Sequence, residues 1–556
     1  MAGRCGKIVN DLARNSVARD QKMPLFRGVV ALFQAKKVIM SASINRREFT
    51  ALLAALGIVL PLGSARAAAR LGSAVPFSFE GLVEAARQKA ARPYAPPQTR
   101  AADVLERIDY DNHWKIQFRP DHTLELGGGK APIRFFHLGR YFKDPVGINV
   151  IEGDRSRPVL YGPDYFDMPK DSPARALPED IGFAGFRVME EGAEKDWLAF
   201  LGAAYFRSSG ELDQFGMSAR AVAIDVALPT PEEFPRFTDF WFAPSETGTL
   251  TIYMAMDGPS ITGALRMDCD RSKGVVMDIS ARYFMRKDIA RLGLGALTSM
   301  FWYDQSNARS GKDWRPEIHD SDGLAIWTGA GERLWRPLNN PPSVMTSSFV
   351  DRDVRGFGLM QRDRSFENYQ DDGVFYEKRS SVWIEPKGGW GDGTVQLVEI
   401  PTDDEIHDNI VAYWVPLTPA KAGDAVAIDY KVHWLADEPH PPAVARTVST
   451  RVGMGGVPGQ PRPKGVVKFV VDFEGGVLGD LTVKDGVLAV VEASQGRISG
   501  VYTLPVVGTK RWRAFFDFTA EGVAPVEMRM FLKNETATLT ETWLYQYHPG
   551  RLVAVD

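Results

Sequence analysis

Two short acidic clusters hold the residues of this chain best placed to move protons. The first is the turn His319-Asp320-Ser321-Asp322-Gly323, closed upstream by Pro316. It offers an imidazole and two carboxylates, yet no second cluster stands at a zinc or calcium-loop spacing. The same residues could equally form an Asp-rich turn that satisfies its own backbone amides. The second cluster, Asp403-Asp404-Glu405-Ile406-His407-Asp408-Asn409, runs straight into the apolar stretch Ile410–Trp414. A carboxylate at such a strand rim is open to partial desolvation, which favours the protonated form a general acid needs. Capping free strand amides is the alternative role for Asp408. The adjacent acids at 403–405 read as a solvated loop.

Between the clusters lie Gln370-Asp371-Asp372-Gly373, Tyr376, Arg379, Trp383 and Glu385. In an extended segment Trp383 and Glu385 share one face, and Val382 and Ile384 take the other. The apolar pair is expected toward the core, leaving Trp383 beside a carboxylate on a cleft, or packed at a domain junction. The whole span Trp314–Trp414 contains six of the thirteen tryptophans, and eighteen acidic against ten basic residues. Aromatic faces cover the C–H faces of pyranose rings while carboxylates hold hydroxyls or shuttle protons. A carbohydrate-handling groove is the chemistry this mixture suits. Asp371, Asp372 and the 403–405 acids are expected at its loop surface or as secondary contacts.

The elements that must carry these residues are mostly strands. Leu250, Ile252, Met254 and Met256 alternate with Thr251, Tyr253 and Ala255, and Met277, Ile279, Ala281 and Tyr283 repeat the pattern. Turn clusters such as GDRSRP and GKDW separate the runs. Short strands without alternating β and α units predict an all-β, antiparallel sandwich. Helical spacing is local: Phe79, Val83, Ala86 and Ala90 precede Pro93, and a second short helix is expected over Arg286–Leu292. DEPHPP followed by VGMGGVPGQPRP marks a linker or long loop over 436–463. The expected domains are therefore a large β-sandwich over 68–435 and an immunoglobulin-sized β unit over 464–556. No nucleophile-elbow, H-E-x-x-H or phosphate-loop motif is present.

Residues 1–67 read as a leader. Asn45-Arg46-Arg47-Glu48-Phe49, the apolar run Ala51–Leu62 and Ala65-Arg66-Ala67 have the order of a twin-arginine export signal cleaved before Ala68. Export would place the mature protein in the periplasm, with Cys269 as its one cysteine and no intrachain disulfide. Removing eleven Lys/Arg and three Asp/Glu with the leader takes the net charge from −4 to −12. That balance argues against nucleic acid and anionic membrane surfaces as partners. No membrane insertion of the mature chain, no metal and no cofactor is expected.

Several segments carry a resemblance: IDYDNHWKIQFRP, GFAGFRV, SARAVAIDVALPTPEEFPRF, LTSMFWYDQSN, RPEIHDSDGLAIWTG, RGFGLMQRDRSFENYQDDG and VEIPTDDEIHDNIVAYW. Together they resemble the periplasmic glucans biosynthesis family, OpgG and OpgD (also MdoG and MdoD), from about Phe77 almost to the end. The twin-arginine leader is similar to that of D-type members. The resemblance implies a galactose-mutarotase-like β-sandwich joined to an immunoglobulin-like domain, acting on β-1,2-linked glucan as an inverting glucanase or a transglycosylase. It implies that Asp408 is the general acid, that Asp320 is the general base acting through a relay, and that Tyr376 lies in that relay. His319, Asp322, Trp327, Trp335, Arg379, Trp383, Glu385 and Trp390 are then expected to contact substrate. A homodimer and a functional link to a membrane glucan synthase are further expectations. The rival reading is a non-catalytic protein that binds and guides the nascent glucan.

Overall fold

The computed structural model describes residues 69–126, 131–246 and 248–550. The twin-arginine pair and the cleavage pattern lie outside these residues. The chain is all-β, built on a fifteen-stranded and a nine-stranded sheet. Alternation sets which side chains meet between them. Leu250, Ile252 and Met254 on Leu250–Asp257 are fully buried, as are Met277, Ile279, Ala281 and Tyr283 on Val275–Met285. Fully burying each such large apolar side chain stabilises by about 1.5–3 kcal/mol. The helix Phe79–Ala90 forms as its spacing predicts, with the Ser78 hydroxyl accepting from the Gly81 amide at 3.0 Å. The helix expected over Arg286–Leu292 does not form. Ile289 bridges to Ala420 instead, and Leu292 opens the strand Leu292–Ser299, so sheet pairing overrides local spacing there. Among the described residues no helix is long and apolar enough to cross a membrane.

At the C-terminal end, four strands (Arg446–Met454, Val466–Glu474, Trp512–Thr519, Arg497–Pro505) face three strands of the large sheet (Leu488–Ala493, Val526–Lys533, Thr542–Tyr547). Phe469, Phe516, Trp543 and Tyr545 fill the space between. The segment expected as linker is only partly one: Arg446–Met454 pairs with Val466–Glu474, and the Gly/Pro-rich residues 455–465 form their connecting loop. The two units are not joined by a hinge. Arg333–Pro337 pairs in parallel with Thr542–Tyr547, so one sheet runs through both. Arg362 reinforces the junction with two hydrogen bonds to Glu541, at 2.6 and 3.1 Å.

Candidate functional site

The site is organised by three residues at the end of one strand. Leu292–Ser299 runs antiparallel to Ile410–Pro416, with Ser299 opposite Ile410. The residues after Ser299 and those before Ile410 therefore meet at the same end of the sheet. Asn409 locks them: its Oδ1 accepts from the Phe301 amide at 2.8 Å, and its Nδ2 donates to the carbonyls of Phe301 and Ile400 at 2.9 and 2.8 Å. That fixes Asp408 immediately beside it. The turn holding Asp320 hangs from the same segment. The Asp320 amide donates to the Met300 carbonyl at 2.8 Å, and the hydroxyls of Ser321 and Ser299 lie 2.7 Å apart. Two aspartates far apart in sequence are thus both tied to residues 299–301.

Each aspartate faces an arginine. Arg379 Nη1 stands 2.9 Å from Asp320 Oδ1, and both side chains are almost wholly buried. The Arg379 guanidinium also lies 4.8 Å from the centre of the Tyr376 ring. The Tyr376 hydroxyl donates to Glu405, which Arg315 holds through Nη1 and Nη2 at 3.1 and 3.3 Å. Arg315 reaches Asp371 at 2.7 Å and Asp313 at 2.9 and 3.0 Å. Asp408 accepts from Arg207 Nη2 at 3.0 Å, while Arg207 Nε donates to the Ser218 hydroxyl at 2.6 Å. Gly216, just before Ser218, leaves room for Arg379: a Cβ there would stand 2.5 Å from Arg379 Cδ. The two arginine–aspartate pairs are therefore linked through one short connection between strands.

Burial sets the protonation of this network. It pushes the Tyr376 hydroxyl well above its ordinary range, with the charge of Glu405 adding to it. Burial alone would raise Asp371, but hydrogen bonds from Arg315 and from the Val374 and Gly373 amides outweigh it and hold the carboxyl below its ordinary range. The acids at 371 and 405, expected at the loop surface, are instead structural partners of Arg315.

His319 lies under the turn and is fully buried, so it does not reach a sugar. Its charge follows from a count of donors and acceptors. Gln361 Nε2 donates to the carbonyls of His319 and Tyr376 at 3.1 and 3.0 Å, which leaves Gln361 Oε1 facing His319 Nδ1 at 2.9 Å. On the other side, Glu317 Oε2 is 3.1 Å from Nε2. Both ring nitrogens face acceptors, an arrangement that favours the doubly protonated imidazole. Burial alone would lower its pKa; the hydrogen bond and charge of Glu317, with Asp322 and Asp304, lift it to about 9. Burial raises Asp304 to about 7, with the charge of Glu317 adding, and raises Asp322 to about 6. Asp322 Oδ2 accepts from the Arg362 and Asp363 amides at 2.9 Å each, which anchors its side chain.

Of the tryptophans expected in a sugar groove, Trp383 and Trp335 are buried and Trp327 and Trp390 are half-buried. Trp383 is 1% exposed and belongs to the C-terminal core; the face left for a cleft is covered by the second unit. Trp335, 4% exposed, packs against Gly323 and carries the Arg362 guanidinium 3.7 Å from its ring centre. Trp327 is half-buried under Arg333, at 3.9 Å, with His440 nearby. Glu385 is bound by His433 and His440 at 2.7 and 3.3 Å, and the His433 hydrogen bond above all brings its pKa down to about 2. Trp390 lines a cavity of about 530 Å³ with Leu292, Trp414, Val415 and Ile428. That cavity opens at the far end of Ile410–Pro416 from Asp408, roughly 20 Å along the strand. Sequence reasoning missed Arg207, Arg315 and Gln361, whose partners are distant in the chain, and Glu317, which sits only two residues from His319. Among the described residues no group of three or more His, Cys, Asp or Glu could hold a metal ion.

Comparison with known proteins agrees over nearly the whole chain. The family described as "Periplasmic glucan biosynthesis protein, MdoG" matches residues 77–547. The chain is 53% identical over 530 residues to glucans biosynthesis protein D 2 of Ralstonia nicotianae, covering 92% of this chain and 97% of that relative. It is 44% identical over 517 residues to glucans biosynthesis protein D of Xanthomonas oryzae pv. oryzae, covering 90% and 97%. With glucans biosynthesis protein D of Stenotrophomonas maltophilia, identity is 45% over 487 residues, covering 86% and 91%.

Proposed function

This chain belongs to the periplasmic glucan biosynthesis family, and from that premise we propose that it shapes a β-1,2-linked glucan as an inverting hydrolase or transglycosylase. Asp408, partly exposed at the strand rim, protonates the glycosidic oxygen; Asp320 serves as base through a relay of water and substrate hydroxyl, with Tyr376 near it. The observation that carries this reading is the suspension of both aspartates from residues 299–301. An inverting pair needs a protonated carboxyl on one side of the scissile bond and a carboxylate serving a water on the other, roughly 6.5–9.5 Å apart when one water intervenes. Arg379 gives the buried Asp320 carboxyl a partner cation. Tyr376 stacks on the Arg379 that holds Asp320 and donates its hydroxyl to Glu405, which supports its place beside the relay. The family description places this work in the periplasm, and the twin-arginine leader is the proposed route there.

One contact favours a second reading. Asp408 is engaged by Arg207 at 3.0 Å, whereas a general acid must be free to meet the glycosidic oxygen. Catalysis therefore requires incoming glucan to part Asp408 from Arg207, whereas a non-catalytic binding protein would keep the pair. Mass spectrometry of products from linear β-1,2-glucan separates the two. Shortened or cyclised chains with wild type and none with Asp408→Asn support the enzyme. Intact chains with wild type, with glucan still bound, would replace it with the binding protein.

A further inference from the structure

The nine-stranded sheet carries a row of cations that leads away from Asp408. Its register sets Arg134 opposite Arg187, Arg187 opposite Ala199, and Ala199 opposite Arg207, across Ile133–Phe136, Gly185–Met189, Asp196–Leu201 and Tyr205–Ser208. Directly opposed residues point to one face of a sheet, so these four form a single rung, ending at the arginine that holds Asp408. With strands about 4.8 Å apart, Arg187 stands about 10 Å from Arg207, and the small Ala199 forms the floor between them.

Two of these arginines are occupied by fixed partners on their own surface. Arg134 makes two hydrogen bonds to Glu194, at 2.5 and 3.0 Å, and Arg207 is held by Ser218 and Asp408. Arg187 differs. Among the described residues it forms no ion pair, and its Nε is buried without a hydrogen-bond partner. Such a donor costs about 1–3 kcal/mol while unpaired, and the side chain as a whole is half-buried, so its guanidinium end is the part open to a ligand. Phe136, on the same face two residues beyond Arg134, is half-buried with its ring centre 5.8 Å from Arg187 Cζ. Asp196 sits at a register shift opposite Met189, and such a bulge re-aims a side chain. Asp196 is buried, and burial raises its carboxyl above the ordinary range against the lowering charges of Arg187 and Arg134. A guanidinium donor, a carboxyl acceptor and a ring are the groups that grip a pyranose. As a purely structural charge pair, Arg187 and Asp196 would be expected to close on each other, and no ion pair joins them.

We infer that Arg187, Asp196 and Phe136 form a second saccharide subsite, which holds the same glucan chain some way from the linkage that meets Asp408. The inference rests on the glucan reading above and deepens it: substrate recognition extends over several sugar units along the sheet. Calorimetric titration of the full chain with short and long linear β-1,2-glucans tests it. Wild type should bind long chains more tightly than short ones. Arg187→Ala and Phe136→Leu should each shrink that ratio of affinities by about fivefold or more, as loss of a single polar or stacking contact does. Arg187→Lys, which keeps the charge and loses the planar fork, should recover only part of it. If Arg187→Ala fails to fold, Phe136→Leu carries the test, because it keeps an apolar side chain. Wild type that discriminates by length, with the ratio unmoved in folded variants, overturns the subsite alone. Wild type that binds neither length overturns the glucan reading and the subsite with it.

Discussion

Replacing His319 by Gln should destabilise the protein far more in mild acid than in alkali. The ring is fully buried between Glu317 and Gln361 and has a pKa of about 9 against an ordinary 6.5. A pKa raised in the folded state means that the native protein binds the proton more tightly than the unfolded chain. The resulting stability is fully present below pH 6.5 and is lost as pH rises toward 9. At about 1.4 kcal/mol per pH unit, that window corresponds to about 3 kcal/mol. Urea unfolding followed by tryptophan fluorescence, at about pH 6 and about pH 9.5, measures wild type against His319→Gln. The stability difference should shrink by up to about 3 kcal/mol between the two conditions. Asp304, raised by burial and partly offset by His319, would rise further in the variant and reduce that change. Repeating the pair in an Asp304→Asn background removes this second titration. A difference that stays constant across pH would mean that His319 is neutral and that the donor–acceptor count under the turn is wrong.

Three other perturbations address separate parts of the site. Trp383→Ala should cost about 3–5 kcal/mol, seen as a lower urea midpoint, while the folded variant keeps its glucan affinity; a selective loss of affinity would put Trp383 back in the groove. Tyr376→Phe removes the hydroxyl that donates to Glu405 and should lower kcat about 100-fold or more with KM little changed; an unchanged kcat would remove Tyr376 from the relay. Arg379→Ala leaves Asp320 buried without its cation and should destabilise by about 3–5 kcal/mol. Asp320→Asn added to that variant should restore part of the loss, and no recovery in the double variant would show that the ion pair is not the cause.

Much of the fold was legible because strand burial follows a period of two. Leu250–Asp257 and Val275–Met285 each bury the residues their alternation selects. Trp383 shows where that signal stops. Its alternation with Val382 and Ile384 correctly separates two faces, and Val382 and Ile384 lie in the main core. What local pattern cannot reveal is that the opposite face is covered by the second unit, through a sheet continued by Thr542–Tyr547. Arg286–Leu292 failed for a related reason, since its helical spacing gave way to pairing with Ala420, distant in the chain.

Acid density alone chose poorly among the carboxylates. Asp371 and Glu405 resembled surface acids because their partner, Arg315, lies 56 and 90 residues away. By itself the sequence determined the all-β architecture, the family, and the placing of Asp320 in a turn and Asp408 at a strand rim. Those follow from local periodicity, turn chemistry and long ordered motifs. Only the tertiary structure decided that Asn409 and the Asp320 amide tie both aspartates to residues 299–301, that Arg379 and Arg207 are their partners, and that His319 is buried between Glu317 and Gln361 beneath them. These depend on which strand ends and loops meet across the sheet, and with them on which charges lose water together.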